Sequence, residues 1–102
     1  MIPYDKRSGK IWCNNELVDW QEVKLHVLSH GLHYGSVVFE GLRVYDKKIF
    51  KLEEHTDRFF YSAKRMDIKI PYSKDEINQA TKKIVSVQNV QNGYIRPFAW
   101  RG

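Results

Sequence analysis

One cysteine, Cys13, is all the chain has, so no disulfide can form within it and a reducing compartment such as the cytoplasm is expected. Long apolar runs are just as scarce: nothing approaches the ~20 consecutive apolar residues of a membrane-spanning helix. The N-terminus lacks a charged start, an apolar core and a small-residue cleavage site, so no secretory signal is expected. Basic residues outnumber acidic ones by 17 to 12, yet nowhere do they form the long run that marks a nucleic-acid arm. Pairs such as Lys47 with Lys48 and Lys82 with Lys83 read as solvated surface, and neither nucleic acid nor membrane is expected as a partner. The net charge of +5 attracts anions such as phosphate or carboxylate without choosing among them. What remains is ordinary globular material, 42% hydrophobic and 14% aromatic over 102 residues, which suits one folding unit with a modest core.

The chain is organised around residues 29–43, SHGLHYGSVVFEGLR. Gly31, Gly35 and Gly41 stand among His33, Tyr34 and Phe39 and lead into an apolar VVF run. Glycines among bulky residues mean backbone brought close to something, either a tight turn feeding a buried strand or a bound ligand.

Residues 10–20 hold two short runs, IWC and ELVDW, around Asn14 and Asn15, which tolerate left-handed turn geometry; a hairpin follows. Residues 21–30 have weak periodicity. His26, His30 and His33 would share a helical face, but Tyr34 and Gly35 follow at once and no fourth ligand stands nearby, so ordinary hydrogen-bonding histidines in a loop are expected rather than a metal site. Residues 37–45 read as one strand, with Phe39, Gly41, Arg43 and Tyr45 on one face and Val38, Glu40, Leu42 and Val44 on the other. Both faces are mixed, so both are expected to have neighbours, and Gly41 would let another group approach closely. Asp46 and Lys47 turn the chain into a second hairpin through residues 48–51.

Leu52, His55, Phe59, Ala63 and Met66 recur at helical spacing, with Arg58 and Arg65 on the rim of the stripe. Ser73 with Glu76 makes a capping box that opens a second helix, whose stripe is Ile77, Ala80, Thr81, Ile84 and Val85, and which Asn92 and Gly93 are expected to stop. Residues 94–100 form a last strand with Tyr94, Arg96, Phe98 and Trp100 on one side, made irregular or peripheral by Pro97. A phenol and a guanidinium side by side could receive an anion or form a plain cation–aromatic pair. The fold class is α+β, an antiparallel sheet built from hairpins with two flanking helices.

Taken as a string, residues 29–43 resemble the HxLHYGxxVFEGxR signature of the branched-chain amino-acid aminotransferases, pyridoxal-phosphate enzymes of fold type IV. The IWxNxxxVxW opening, the EHxxR of Glu54, His55 and Arg58, and the GYIRP of residues 93–97 extend the likeness over residues 11–102. Related branches, the D-amino-acid aminotransferases and aminodeoxychorismate lyases, share a YGxxVFE element; the flanking SHGLH and GLR with YIRP favour the branched-chain branch. The resemblance implies that Arg58 holds the cofactor phosphate, which a planar guanidinium suits. It further implies that Phe39 supplies apolar wall, Tyr94 helps hold the substrate α-carboxylate, Arg96 receives the distal carboxylate of glutamate, and Tyr34 reaches into the pocket of the other subunit of a homodimer.

The likeness covers only the smaller N-terminal domain of that family. The Schiff-base lysine and the partner of the pyridine nitrogen belong to a second domain beyond Gly102, and no lysine here matches the catalytic one. Transamination needs that amine as a base, so the chain by itself is expected not to turn over. The alternative is a stand-alone, non-catalytic anion-binding or dimerisation module.

Overall fold

The structure, a computed structural model, describes residues 2–102. Its first hairpin pairs β1 (Lys10–Cys13) with β2 (Glu16–Asp19), Lys10 opposite Asp19 and Cys13 opposite Glu16. Asn14 and Asn15, at φ 50° and 68°, make the two-residue turn in the left-handed geometry that matches strand twist. A 3-10 turn, Trp20–Glu22, follows, and the stretch after it reaches a short helix α1 (His30–Tyr34). Gly35 ends α1 at φ 66°, a conformation glycine adopts without steric cost.

The middle of the fold is an antiparallel ribbon. Residues 37–45, expected as one strand, are two: β3 (Val37–Phe39) and β4 (Leu42–Tyr45). Residues 94–100 are likewise β6 (Gly93–Ile95) and β7 (Phe98–Trp100). The two interruptions face each other. Val37 pairs with Trp100 and Phe39 with Phe98 on one side of the break, Leu42 with Ile95 and Val44 with Gly93 on the other, in unchanged register. Across the break the Glu40 N–H donates to the Pro97 carbonyl at 3.0 Å, and proline has no N–H to return the bond. Pro97 therefore interrupts the ladder without shifting it.

Alternation along 37–45 holds through the break. Val38, Glu40, Leu42 and Val44 are all buried, while Phe39, Arg43 and Tyr45 are exposed. Of the two neighbours expected, this chain supplies one: α2 packs on the Val38 face, whereas Phe39, Arg43 and Tyr45 on the other stay exposed within this chain. Asp46 and Lys47, both at positive φ, turn β4 into β5 (Lys48–Ile49), shorter than the expected 48–51. Asn92 Oδ1 accepts from the Asp46 N–H and Gln91 O from the Lys47 N–H, which ties this turn to the loop before β6.

Helix α2 (Leu52–Arg65) buries Thr56, Phe59 and Ala63. Met66, expected in the stripe, lies past the last turn and is exposed; Thr56 takes its place inward, its hydroxyl bonded to Asn78 of the next helix. Glu53 and Glu54 in the first turn and Lys64 and Arg65 in the last complement the helix dipole. Helix α3 (Lys74–Val87) opens with the expected box, Glu76 N–H to Ser73 Oγ and Ser73 N–H to Glu76 Oε1, each 3.1 Å. It ends earlier than Asn92 and Gly93: Asn89, at φ 51°, takes the left-handed position after Gln88, and Gly93 instead pairs with Val44. The core joins Val38, Phe59 and Ala63, with Phe60, Ile68, Ile70 and Ala99 packed against them. Antiparallel sheets with helices on one face are the expected α+β class.

Candidate active-site face and the Glu40 cluster

Strand alternation puts Phe39 and Tyr94 on the open face of the ribbon, each about half exposed, and it carries Arg96 to the same side. The Arg96 guanidinium carbon lies 4.0 Å above the centre of the Phe39 ring. Tyr94 lies over Gly41: a Cβ at that position would stand 2.6 Å from the Tyr94 hydroxyl, so the close approach expected at Gly41 is made by this tyrosine. Arg43 lies over Tyr45, and Phe98 against Trp100 with ring centres 5.3 Å apart. The result is a surface of aromatic rings with guanidinium groups set among them, able to meet apolar groups and carboxylates side by side.

Arg58 belongs to a different cluster. It projects from α2 toward the helix-packed side of the ribbon, where Glu40 is buried. Its Nε donates to Glu40 Oε2 and its Nη2 to Oε1, both at 2.8 Å, a two-bond fork. His55, one turn earlier on α2, stands with Nδ1 2.8 Å from the same Oε1. The Arg58 hydrogen bonds hold the Glu40 carboxyl below its ordinary range, more than burial raises it, and His55 adds to the lowering. The same contact raises the Arg58 value. The Glu40 side chain is 4% exposed and that of Arg58 65%, so one edge of the guanidinium is fixed to the protein and the rest faces solvent.

Glu40 did not stand out from the sequence as a site residue. The signal was there: a carboxylate placed between Val38, Leu42 and Val44 on a buried face needs a cation, and His55 with Arg58 supply it from adjacent turns. Tyr34 stands apart from both clusters, exposed at the end of α1, with its ring 4.5 Å from that of His30. The histidines have separate local partners: His26 Nδ1 accepts from Leu28 N–H, His30 Nδ1 meets Ser36 Oγ, and His33 Nε2 meets Val27 O. His30 and His33 lie in α1 rather than in a loop. Residues 29–36 are in turn held to the end of the chain, Gly31 N–H on Arg101 O and Arg101 N–H on Ser36 O.

The family description "Amino-transferase class IV" matches residues 37–102, most of the chain and both clusters. The chain belongs to the class IV aminotransferases. Among curated members it is 51% identical over 100 residues to a branched-chain-amino-acid aminotransferase of Pseudomonas aeruginosa, covering 94% of this chain and 33% of that one. The corresponding Escherichia coli enzyme is 40% identical over 101 residues, covering 95% and 33%. The ribbon and helices superimpose on the crystal structure of the E. coli branched-chain aminotransferase with a TM-score of 0.90 at 39% identity, over 94% of this chain and 34% of that one. A T.th. branched-chain aminotransferase solved with pyridoxamine 5′-phosphate gives a TM-score of 0.88 at 44% identity, over 92% and 32%. The T.th. protein has also been solved with N-(5′-phosphopyridoxyl)-L-glutamate and with 4-methylvaleric acid. This class IV chain spans about a third of the length of the relatives it matches. No helix among its described residues is long and apolar enough to cross a membrane.

Proposed function

We propose that this chain is the N-terminal domain of a cytoplasmic, homodimeric branched-chain amino-acid aminotransferase, which moves an amino group between leucine, isoleucine or valine and 2-oxoglutarate. The observation that carries this reading is the Arg96 guanidinium seated over the Phe39 ring among open-face aromatics. One wall then offers ring surface to a branched side chain and a guanidinium to a second carboxylate, which are the two demands of the two half-reactions. The T.th. ligands, a glutamate adduct and a branched aliphatic acid, make the same pair of demands on that protein.

Pyridoxal phosphate would supply the electron sink for the reaction. The residues present fit it at one point: the outer edge of Arg58, fixed in direction by Glu40 and open to solvent, is a fork for a phosphate dianion. Phe39 forms apolar wall, Tyr94 directs its hydroxyl toward the substrate α-carboxylate, and Arg96 takes the distal carboxylate of glutamate. Tyr34, exposed at the end of α1, reaches the pocket of the other subunit. In this reading none of the chain's own lysines transfers the proton.

The open aromatic face also suits a second reading, a non-catalytic anion-binding or dimerisation module. The full-length protein, incubated with leucine, 2-oxoglutarate and pyridoxal phosphate, should form glutamate above a cofactor-only blank. No glutamate from folded, cofactor-loaded protein would reject the enzyme in favour of the module.

A further inference from the structure

Glu40 has no place in the roles assigned above, yet it is the most constrained polar side chain in the cluster. It is buried, it accepts two hydrogen bonds from Arg58 and one contact from His55, and it sits where Pro97 interrupts the ribbon. A guanidinium is planar, with donors along more than one edge, so a carboxylate gripping the Nε–Nη2 edge fixes the plane and turns the opposite edge outward. The anchoring also has a direction. Glu40 is on the ribbon and Arg58 on α2, so the contact sets the angle of the side chain relative to the strand that carries Phe39 on its other face. His55, packed against the same oxygen, keeps Oε1 from rotating away from Nη2.

We infer that Glu40, backed by His55, is a positioning residue that aims the outer edge of Arg58 at a phosphate monoester, so that the protein distinguishes a phosphorylated pyridoxal from the unphosphorylated one. This rests on the proposed role of Arg58. A carboxylate that merely balanced a charged helix residue would have no need of a two-bond fork or of a second donor fixing its rotation. Flexible arginines on surfaces meet phosphates in many orientations and hold them weakly; one clamped in a single plane loses less freedom on binding.

The test is the affinity of apo full-length protein for pyridoxal phosphate and for pyridoxal, titrated separately by absorbance, with the dissociation constant for pyridoxal divided by that for pyridoxal phosphate as the ratio read. Glu40→Gln keeps the shape and removes the fork. It should weaken pyridoxal phosphate about ten- to hundred-fold, as losing the partners that orient metal ligands does, and leave pyridoxal within about two-fold. Arg58→Lys keeps the charge at an exposed position and removes the planar fork, so it should lower the ratio similarly even if Glu40→Gln does not fold. Equal losses for both ligands, or an Arg58→Lys variant that keeps the wild-type ratio, overturn the inference. Arg58→Ala separates it from the reading beneath it: if that variant lowers the ratio and Glu40→Gln does not, only the positioning role fails. If Arg58→Ala leaves the ratio unchanged, the phosphate role of Arg58 falls and the positioning role with it.

Discussion

Glu40 and Arg96 make opposite demands on their surroundings. Glu40 is held below its ordinary carboxyl value by Arg58, so its ionised form is favoured by folding. That contribution is complete above the ordinary range, near pH 4.5, and is lost as the pH falls through the lowered folded value. The stability gap between the wild type and Glu40→Gln should therefore be largest near neutrality and shrink in acid. Thermal melts from about pH 7 down to about pH 3 check this, and a gap that stays constant would mean that the charge is not what stabilises. Arg96 faces the open side, where a dicarboxylate would bring a charge and leucine only methyl groups. In the full-length enzyme Arg96→Leu should lower kcat/KM for 2-oxoglutarate far more than for leucine, by ~2 to 5 kcal/mol for a charged contact broken in a desolvated site. Single-turnover rates with each substrate measure it, and equal losses would make Arg96 a strand residue only. Alternation in the sequence put Tyr94 beside Arg96 on one strand and Phe39 on a face of another, and the pairing of those strands in the structure brings Arg96 over Phe39. The sequence did not reveal the partner of Arg58, because an ion pair between a strand and a helix depends on packing that no local spacing encodes.

At the level of elements, local chemistry was legible and boundaries less so. The Asn14–Asn15 turn and the Ser73 box came directly from residue type, since both are satisfied by backbone a few residues away. Ser73→Ala should cost about 1 kcal/mol, seen as a lower urea midpoint with an unchanged slope. A changed slope would point instead to altered compactness of one of the states. The two strands read as continuous are broken because proline removes one donor from a ladder whose partner is far away in sequence. Helix α3 stops at Val87 because Asn89 can take the left-handed position that Asn92 and Gly93 were expected to supply.

The whole molecule is one-sided. Helix α2 lies against one face of the ribbon, with α3 packed on α2 and on β1, and the other face presents Phe39, Tyr45, Tyr94 and Phe98 to solvent, each more than half exposed. A face of that kind needs a cover, which the remaining two thirds of a relative's length could provide. The 102-residue chain on its own should therefore form no glutamate from leucine and 2-oxoglutarate with added pyridoxal phosphate; any product above the cofactor-only blank would contradict this. The one-sidedness was not legible in advance, since mixed faces in a strand look the same whether the neighbour lies in the chain or outside it.

The ribbon also has a timetable. It joins Val37 to Trp100 and Leu42 to Ile95, so each half must wait until its later partner, Trp100 or Ile95, has left the ribosome. By then α2 and α3, built from local contacts, have had time to form, whereas a non-local ladder must first close a long loop. During synthesis the stretch that carries Phe39 and Glu40 thus waits beside finished helices for its partner strand, and Glu40 can meet Arg58 before it meets Pro97. A clamp closed in that interval would set the angle at which the later strand docks.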